Sequence, residues 1–174
     1  KDAVAASNYE LLMGEASAEK VRQQGLQAGF DVMPANGDLT AAEVTLTNTG
    51  EGRDKRLQNA LASIREDYDH ILIDCPPALN ILTVNAFVAA DRVLIPIQCE
   101  YYALEGVSQL VRNVELVRSH LNPALELSTI VLTMFDGRTN LAQQVVADVR
   151  EHFPRQTLET LIPRSVRVSE APSY

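Results

Sequence analysis

Residues 68–80, YDHILIDCPPALN, join an apolar run of strand length to a lone carboxylate and two prolines. The run at 70–75 is almost continuously apolar, which is typical of a strand covered on both faces of a sheet. Pro76 and Pro77 cannot continue that strand, because proline lacks a backbone N–H and has a fixed φ. The segment therefore predicts a buried strand that ends abruptly and presents Asp74 at its carboxyl end.

The rest of the chain alternates between strand-like and helical patterns. Four further apolar runs predict strands at residues 30–34, 92–98, 128–135 and 159–163. Apolar residues recurring at intervals of three and four predict helices over residues 56–66, 104–121 and 139–153, while residues 36–54 predict a loop or short irregular helix. This alternation predicts an α/β fold: a doubly wound, mostly parallel sheet with helices on both faces.

Ligands of doubly wound sheets bind beyond the carboxyl ends of the strands. In the predicted order of elements that edge carries Asp74, Gln98, Asp136 and Pro163. These four residues are therefore the first candidates for a binding site.

Length and composition predict one cytoplasmic domain over residues 1–174, with enough apolar content for a core. No apolar run approaches the roughly 20 residues of a membrane helix, and the first residues lack the apolar segment of a secretory signal. The formal charge of −8 argues against nucleic acid as a general ligand. Residues 136–174 nevertheless carry five basic and five acidic side chains, so a local basic surface would come from these late arginines.

Neither the cysteines nor the histidines predict a metal site. Cys75 and Cys99 lack the spacing of zinc ligands and predict buried thiols; a disulfide would require neighbouring strands, and a cytosolic setting argues against it. His70, His120 and His152 show no partner spacing.

A carboxylate at the end of an apolar strand is how phosphate-binding α/β proteins face Mg²⁺ and its water shell. The alternative for Asp74 is a polar residue that merely opens a surface loop. The expected companion, a G-x-x-x-x-G-K-[ST] loop that cradles phosphates, is absent, since none of Lys1, Lys20 and Lys55 follows a glycine. Either Asp74 has another role, or the loop precedes Lys1 in the natural protein.

Residues 68–110, YDHILIDCPPALNILTVNAFVAADRVLIPIQCEYYALEGVSQL, closely resemble the ParA/Soj family of chromosome and plasmid partitioning ATPases, in the MinD-like deviant Walker group. LTMFDGRTNLAQQVVADVREHF (132–153) and LIPRSVRVSEAPSY (161–174) resemble the next two blocks of that family, in order and spacing. DVMPANGDLTAAEVTL (31–46) resembles its stretch before the central helix. The resemblance implies a truncated P-loop NTPase-like domain that lacks the N-terminal phosphate loop and the C-terminal end.

The resemblance also implies a nucleotide site. Asp74 would be the Walker B carboxylate, holding Mg²⁺ through water. Pro163, Arg164 and Ser165 would form the adenine-side loop, with the planar guanidinium of Arg164 stacked on the base; the alternative for Arg164 is a solvated surface arginine. Family members often have Asn where this chain has Ser165, which leaves a base contact at that position open. The loop 98–106 would lie near the γ-phosphate and the dimer seam, or simply open a helix.

Two arginines match family positions that bind DNA without sequence preference. Arg138 and Arg167 would contact phosphates, which needs no base reading; the alternative is that both only serve solubility. Two charges on an acidic protomer would bind DNA weakly. A dimer that aligns two copies would bind better, because linked contacts act at high effective concentration.

The implied function is DNA segregation, in which ATP and Mg²⁺ join two subunits and the homodimer coats nucleoid DNA in the cytoplasm. A ParB-type partner would stimulate hydrolysis. The catalytic-water carboxylate of this family lies on an earlier strand, so the chain by itself is expected to be inactive. The alternatives are a MinD-like positioning ATPase with a C-terminal amphipathic helix at membranes, and a non-catalytic interaction module. The sequence leaves open whether a chromosome or a plasmid is served, which ParB-type partner is met, and whether the chain folds as a monomer.

Overall fold

The computed structural model describes residues 6–24, 29–76 and 78–170, apart from the side chains of residues 168 and 169. The chain divides into two compact units, Lys1–Ala90 and Asp91–Tyr174. Each unit is described by itself below. The assignment of residues 1–174 to a single domain stays a prediction.

The first unit is built from helices. They are α1 (Asn8–Met13), α2 (Ala18–Val21), α3 (Leu39–Asn48), α4 (Arg56–Leu61) and α5 (Ile81–Ala89), with 3-10 turns at Arg53–Lys55 and Arg65–Asp67. Helix α1 begins with a capping box: Ser7 accepts from the backbone N–H of Tyr9, and Glu10 accepts from the backbone N–H of Ser7. Gly14 ends α1 with φ 77°, a left-handed conformation that glycine adopts without strain.

Buried apolar residues of α1, α2 and the α4 region form the core of the first unit, namely Leu11, Ala18, Val21, Leu61 and Ile64. Helix α5 packs against α4 and the Arg53–Lys55 turn. A buried amide holds these elements together: Asn85, 1% exposed, accepts from the N–H of Leu57 and donates to the carbonyl of Arg53. The predicted helix at 56–66 is therefore a short helix followed by a turn, and the predicted irregular segment 36–54 contains the regular helix α3.

The predicted strand at residues 70–75 is wrong for this structure, because the segment pairs with no strand among the described residues. Leu72 is 93% exposed, although its pattern predicts burial. A strand exists only when its N–H and C=O groups meet a neighbouring strand, and the helical first unit offers none among those residues. The predicted strand at 30–34 is likewise reduced to a single antiparallel bridge between Gln23 and Val32.

The second unit is a three-stranded parallel sheet flanked by helices. Its elements are β1 (Arg92–Gln98), α6 (Ala103–His120), β2 (Glu126–Phe135), α7 (Asn140–His152), β3 (Thr157–Pro163) and α8 (Val166–Glu170), and the strand order is β1-β2-β3. Each pair of consecutive strands is joined through one amphipathic helix, as the alternating sequence pattern predicts. The predicted α/β fold class is confirmed.

One face of this sheet carries the core of the second unit. Val93, Ile95 and Ile97 alternate along β1 as buried residues, and Ile130 and Leu132 of β2 are fully buried. Helices α6 and α7 pack against each other, and α6 also packs on β1 and β2. On β1 the opposite face contains Leu94, which is 58% exposed.

The cysteines are free thiols, as predicted. Cys99 is buried and Cys75 is half-buried, and burial raises the pKa of both. Among the helices that the structure describes, none is long and apolar enough to cross a membrane.

Candidate functional site

The carboxyl ends of the three strands meet at one edge of the second unit. Gln98 of β1 lies opposite Thr133 of β2, and Phe135 of β2 lies opposite Pro163 of β3. The backbone N–H of Arg164 donates to the carbonyl of Phe135 (3.0 Å), which extends the pairing past the end of β3. The sheet therefore brings Gln98, Asp136 and Pro163 to the same edge, where parallel sheets bind ligands.

Arg164 forms an ion pair across this edge. Its Nη2 donates to Oε1 of Glu100 (2.8 Å), and both side chains are about half exposed. The pair links the loop after β1 to the loop after β3. A carboxylate contacts the rim of a guanidinium, so both flat faces of Arg164 remain suited to stacking on an aromatic base.

Two exposed tyrosines follow Glu100 at the start of α6. Tyr101 and Tyr102 are 77% and 74% exposed, and their rings pack edge to face with centroids 5.2 Å apart. Large aromatic side chains that stay in solvent are typical of surfaces that contact a partner. The structure gives neither tyrosine a chemical role, in line with the sequence, which assigned none.

The end of β2 carries a local irregularity that sets the direction of the following turn. Between its pairings at Leu132–Leu161 and Phe135–Pro163, β2 advances three residues while β3 advances two. Met134 lies within this bulge and has φ 54°, a left-handed conformation that is uncommon for a residue other than glycine. Bulges at strand ends redirect the side chains that follow, and here the next polar residue is Asp136.

Asp136 and Arg138 form a bidentate ion pair in the turn after β2. Arg138 donates from Nε to Oδ1 (2.9 Å) and from Nη2 to Oδ2 (2.7 Å), and its backbone N–H also reaches Oδ1 (3.1 Å). These bonds to Arg138 lower the pKa of Asp136 to about 2, and the charge of Arg164 adds to the effect. The side chain of Arg138 is 89% exposed, whereas that of Asp136 is 24% exposed.

The other sequence-predicted residues of the second unit lie nearby in the chain. Pro163 is exposed at the end of β3, Ser165 is half-buried, and Arg167 is exposed on α8. No ligand tests their roles, so the base contacts of 163–165 and the DNA contact of Arg167 stay predictions.

Asp74 belongs to the first unit. Its side chain is exposed. Burial is the larger cause of the raised pKa of the Cys75 thiol, and the charge of Asp74 adds to it. The described residues contain no group of three or more His, Cys, Asp or Glu side chains that could hold a metal ion. Mg²⁺ commonly keeps several waters and takes one or two carboxylates plus phosphate oxygens, so a single exposed carboxylate fits water-mediated binding. The role of Asp74 as the Walker B carboxylate stays a prediction.

Sequence reasoning missed two contacts of the edge. Nothing in the sequence signals the pair Glu100–Arg164, since its partners are 64 residues apart and only the strand register joins them. Asp136 was noted only as a strand end. An Asp two residues before an Arg permits the local turn that the structure shows, so the FDGRTN spacing was a usable signal.

Comparison with known proteins adds the family. The model of the AAA domain family matches residues 1–127. Chromosome partitioning protein ParA of Caulobacter vibrioides (strain NA1000 / CB15N) is 51% identical over 168 residues, which are 95% of this chain and 62% of that protein. Sporulation initiation inhibitor protein Soj of Bacillus subtilis (strain 168) is 46% identical over 166 residues, 95% of this chain and 65% of Soj. The chain thus spans less than two thirds of the length of these relatives.

A solved structure agrees with these matches. Cobyrinic acid a,c-diamide synthase from Mycobacterium smegmatis, solved with bound ADP and magnesium, superposes with a TM-score of 0.85 at 36% identity, over 94% of this chain and 66% of that one. The fold and the family model together define an AAA domain, and the chain belongs to that family. Its near-50% identity to ParA and Soj proteins makes it a ParA/Soj-type sequence with a P-loop-type α/β fold.

Proposed function

We propose that the protein carrying this chain is a DNA-partitioning ATPase. ATP and Mg²⁺ join two subunits, the dimer binds DNA without sequence preference, and a ParB-type partner stimulates hydrolysis. The observation that carries this proposal is the 46–51% identity to ParA and Soj proteins over 95% of the chain. The names of those relatives favour partitioning over the membrane-positioning and interaction-module alternatives.

The nucleotide side of the function rests on Asp74 and on the loop after β3. Asp74 holds Mg²⁺ through water, and the metal ion, when bound, offsets negative charge on the phosphate oxygens. Arg164 offers a flat guanidinium face to the adenine while its rim stays paired with Glu100. Pro163 and Ser165 contribute the backbone on either side of that arginine. A homologue solved with ADP and magnesium supports this choice of ligands.

The DNA side of the function rests on Arg138 and Arg167. Both are exposed, and both belong to the stretch 136–174 in which basic side chains balance the acidic ones, whereas the whole chain carries −8. Phosphate contacts by so few cations give weak binding to a single copy. Two copies joined by ATP present twice the number of contacts, so dimerisation switches DNA binding on.

The test uses the full-length protein and measures phosphate release with ATP, nonspecific duplex DNA and the ParB-type protein from the same genome. We expect slow release that the partner and DNA together stimulate, and ATP-dependent co-sedimentation with DNA. Asp74→Asn should abolish the release, whereas Asp69→Asn, an exposed carboxylate of the same segment, should leave it unchanged. The chain 1–174 alone should release no phosphate.

Each component of the proposal has its own contrary result. Absence of phosphate release under every condition would favour an interaction module. Wild-type release by a folded Asp74→Asn protein would remove Asp74 from the metal site. Release by the chain 1–174 would show that its own residues complete a nucleotide site.

A further inference from the structure

Arg138 is held in one orientation by Asp136, which lies two residues before it in the sequence. In this ion pair Arg138 is the more exposed partner. A lone arginine with this exposure would sample many rotamers, yet three hydrogen bonds to one carboxylate tie its backbone N–H, Nε and Nη2 to Asp136. Asp136 is much less exposed than the arginine it holds. The exposed guanidinium of Arg138 is thus held by a carboxylate that is itself mostly buried.

We propose that Asp136 is a positioning residue for DNA binding, which presents Arg138 to the phosphate backbone in one preset orientation. This inference rests on the proposed function, because it concerns the same DNA-contacting arginine. Asp136 itself makes no contact with DNA in this arrangement.

Arg138 keeps enough donors for a phosphate while it is paired. A guanidinium has five N–H groups, and the pair with Asp136 uses one from Nε and one from Nη2. Within the part of the chain that the structure describes, both N–H groups of Nη1 and the second N–H of Nη2 have no other partner. These three donors lie on the side of the guanidinium away from Asp136, which suits a charge-assisted contact to phosphate oxygens.

The negative charge of Asp136 also repels a phosphate. Whether Asp136 strengthens or weakens DNA binding therefore depends on which is larger, this repulsion or the entropy saved by holding Arg138 in place. A carboxylate at about 7 Å from a phosphate in water weakens binding by roughly threefold, and salt reduces this further. Fixing a free arginine side chain weakens binding by up to about 30-fold, because its rotamer entropy is lost. A pair that has already restricted the side chain avoids much of that larger loss, so positioning outweighs repulsion.

The turn that carries Asp136 is held at both ends. Before it lies the bulge at Met134. After it, the backbone N–H and the hydroxyl of Thr139 both donate to the carbonyl of Asp136, and Thr139 caps α7 by accepting from the N–H of Ala142. Gly137 makes the turn compact, since a Cβ there would lie 3.3 Å from the Phe135 ring. The carboxylate is therefore anchored to the sheet edge and to α7.

The experiment measures binding of the full-length protein, with ATP, to a nonspecific DNA duplex by fluorescence anisotropy over a series of salt concentrations. Asp136→Ala should weaken binding by about three- to tenfold, without changing the slope of log affinity against log salt, because the number of phosphate contacts is the same. Arg138→Ala should weaken binding and reduce that slope. Asp136→Asn, which keeps one acceptor for Arg138, should fall between wild type and Asp136→Ala.

The double variant separates positioning from a general structural effect. In the Arg138→Ala background, Asp136→Ala should cause no further loss of affinity, because its favourable role acts through Arg138. Glu151→Ala, an exposed carboxylate on α7, controls for the change in net charge and should not weaken binding. All variants should unfold cooperatively and should dimerise with ATP like wild type; Asp136→Asn serves in place of Asp136→Ala if the latter does not fold.

Two results would overturn the inference. Unchanged or tighter binding by Asp136→Ala would mean that repulsion dominates and that Asp136 restrains Arg138. If Asp136→Ala weakened DNA binding equally in the wild-type and the Arg138→Ala backgrounds, its effect would come from misfolding of the turn and not from positioning of Arg138. If Arg138→Ala itself binds DNA like wild type, the proposed DNA contact fails instead, and the two failures are thereby distinguished.

Discussion

Two arginines at the sheet edge, Arg138 and Arg164, are each paired with a carboxylate. Exposed ion pairs contribute little to the stability of a fold, since solvent screens the charges and two side chains must be ordered. Their consequence here is orientation. Arg138 is held by Asp136 and Arg164 by Glu100, so each ion pair restricts the direction of its guanidinium.

The Asp136–Arg138 pair makes part of the free energy of unfolding depend on pH in the acid range. The pKa of Asp136 is lowered from 3.8 to about 2, chiefly by its hydrogen bonds to Arg138. A folded-state pKa below the unfolded one adds stability that is complete above about pH 4 and is lost as the pH falls toward about 2. The urea midpoint of wild type should therefore exceed that of Asp136→Asn by a constant amount above about pH 4, and the difference should shrink below it. A difference that stays constant or widens in acid would contradict this assignment.

In the first unit, Asn85 of the apolar helix α5 connects this helix to α4 and to the turn before it. Asn85 of α5 is almost fully buried, yet its side-chain amide is bonded to backbone groups: it accepts from the N–H of Leu57 and donates to the carbonyls of Arg53 and Ile81. A buried amide that is satisfied in this way specifies how α5 sits against α4.

Asn85→Ala should destabilise the chain by about 2–4 kcal/mol, because it removes a buried side chain and the amide that bonds the N–H of Leu57 and the carbonyl of Arg53. The matched control is Asn48→Ala at the exposed end of α3, where the amide donates only to Val44 of its own helix. That change should cost less than about 0.5 kcal/mol. Urea unfolding monitored by circular dichroism measures both values, and equal effects would show that the Asn85 bonds contribute nothing specific.

The sheet of the second unit has two outer edges, at β1 and β3, and neither has a neighbouring strand among the described residues. Among the described residues β1 pairs only with β2, so the other side of β1 presents unpaired backbone groups. Next to the β1 edge Leu94 is largely exposed, and in the first unit the apolar segment 70–75 pairs with no strand in the part of the chain that the structure describes. Open edges flanked by apolar side chains are templates for association between chains.

The chain 1–174 should therefore self-associate, with an apparent mass that rises with concentration in size-exclusion chromatography with light scattering. Leu94→Lys should shift it toward the monomer, because a charge beside an edge strand opposes strand pairing. Leu116→Lys is the matched control, since Leu116 is similarly exposed, at 56%, but lies on α6. A compact wild-type monomer at every concentration would refute the idea.

The sequence predicted the second unit well, since its signals are local. The periods of α6 and α7 and the apolar runs of β1, β2 and β3 lie within single elements, and each run has a partner strand in the same unit. The same reasoning failed at residues 70–75. Continuous apolar character says that a segment suits burial between neighbours, but whether those neighbours exist is a tertiary fact.

The candidate site also combines contacts that the local sequence predicts with contacts that depend on the tertiary structure. The residue pattern at 70–77 nominated Asp74, the family resemblance nominated Arg138 and Arg164, and the two-residue spacing in FDGRTN already permits the contact between Asp136 and Arg138. Only the register of β1, β2 and β3 brought Glu100 to Arg164, because strand pairing joins residues far apart in sequence. The amino-acid sequence by itself determined the class of fold and which polar and charged side chains are candidates for the site. The tertiary structure decided which charges meet, since distances between elements depend on packing and pairing that no single segment contains.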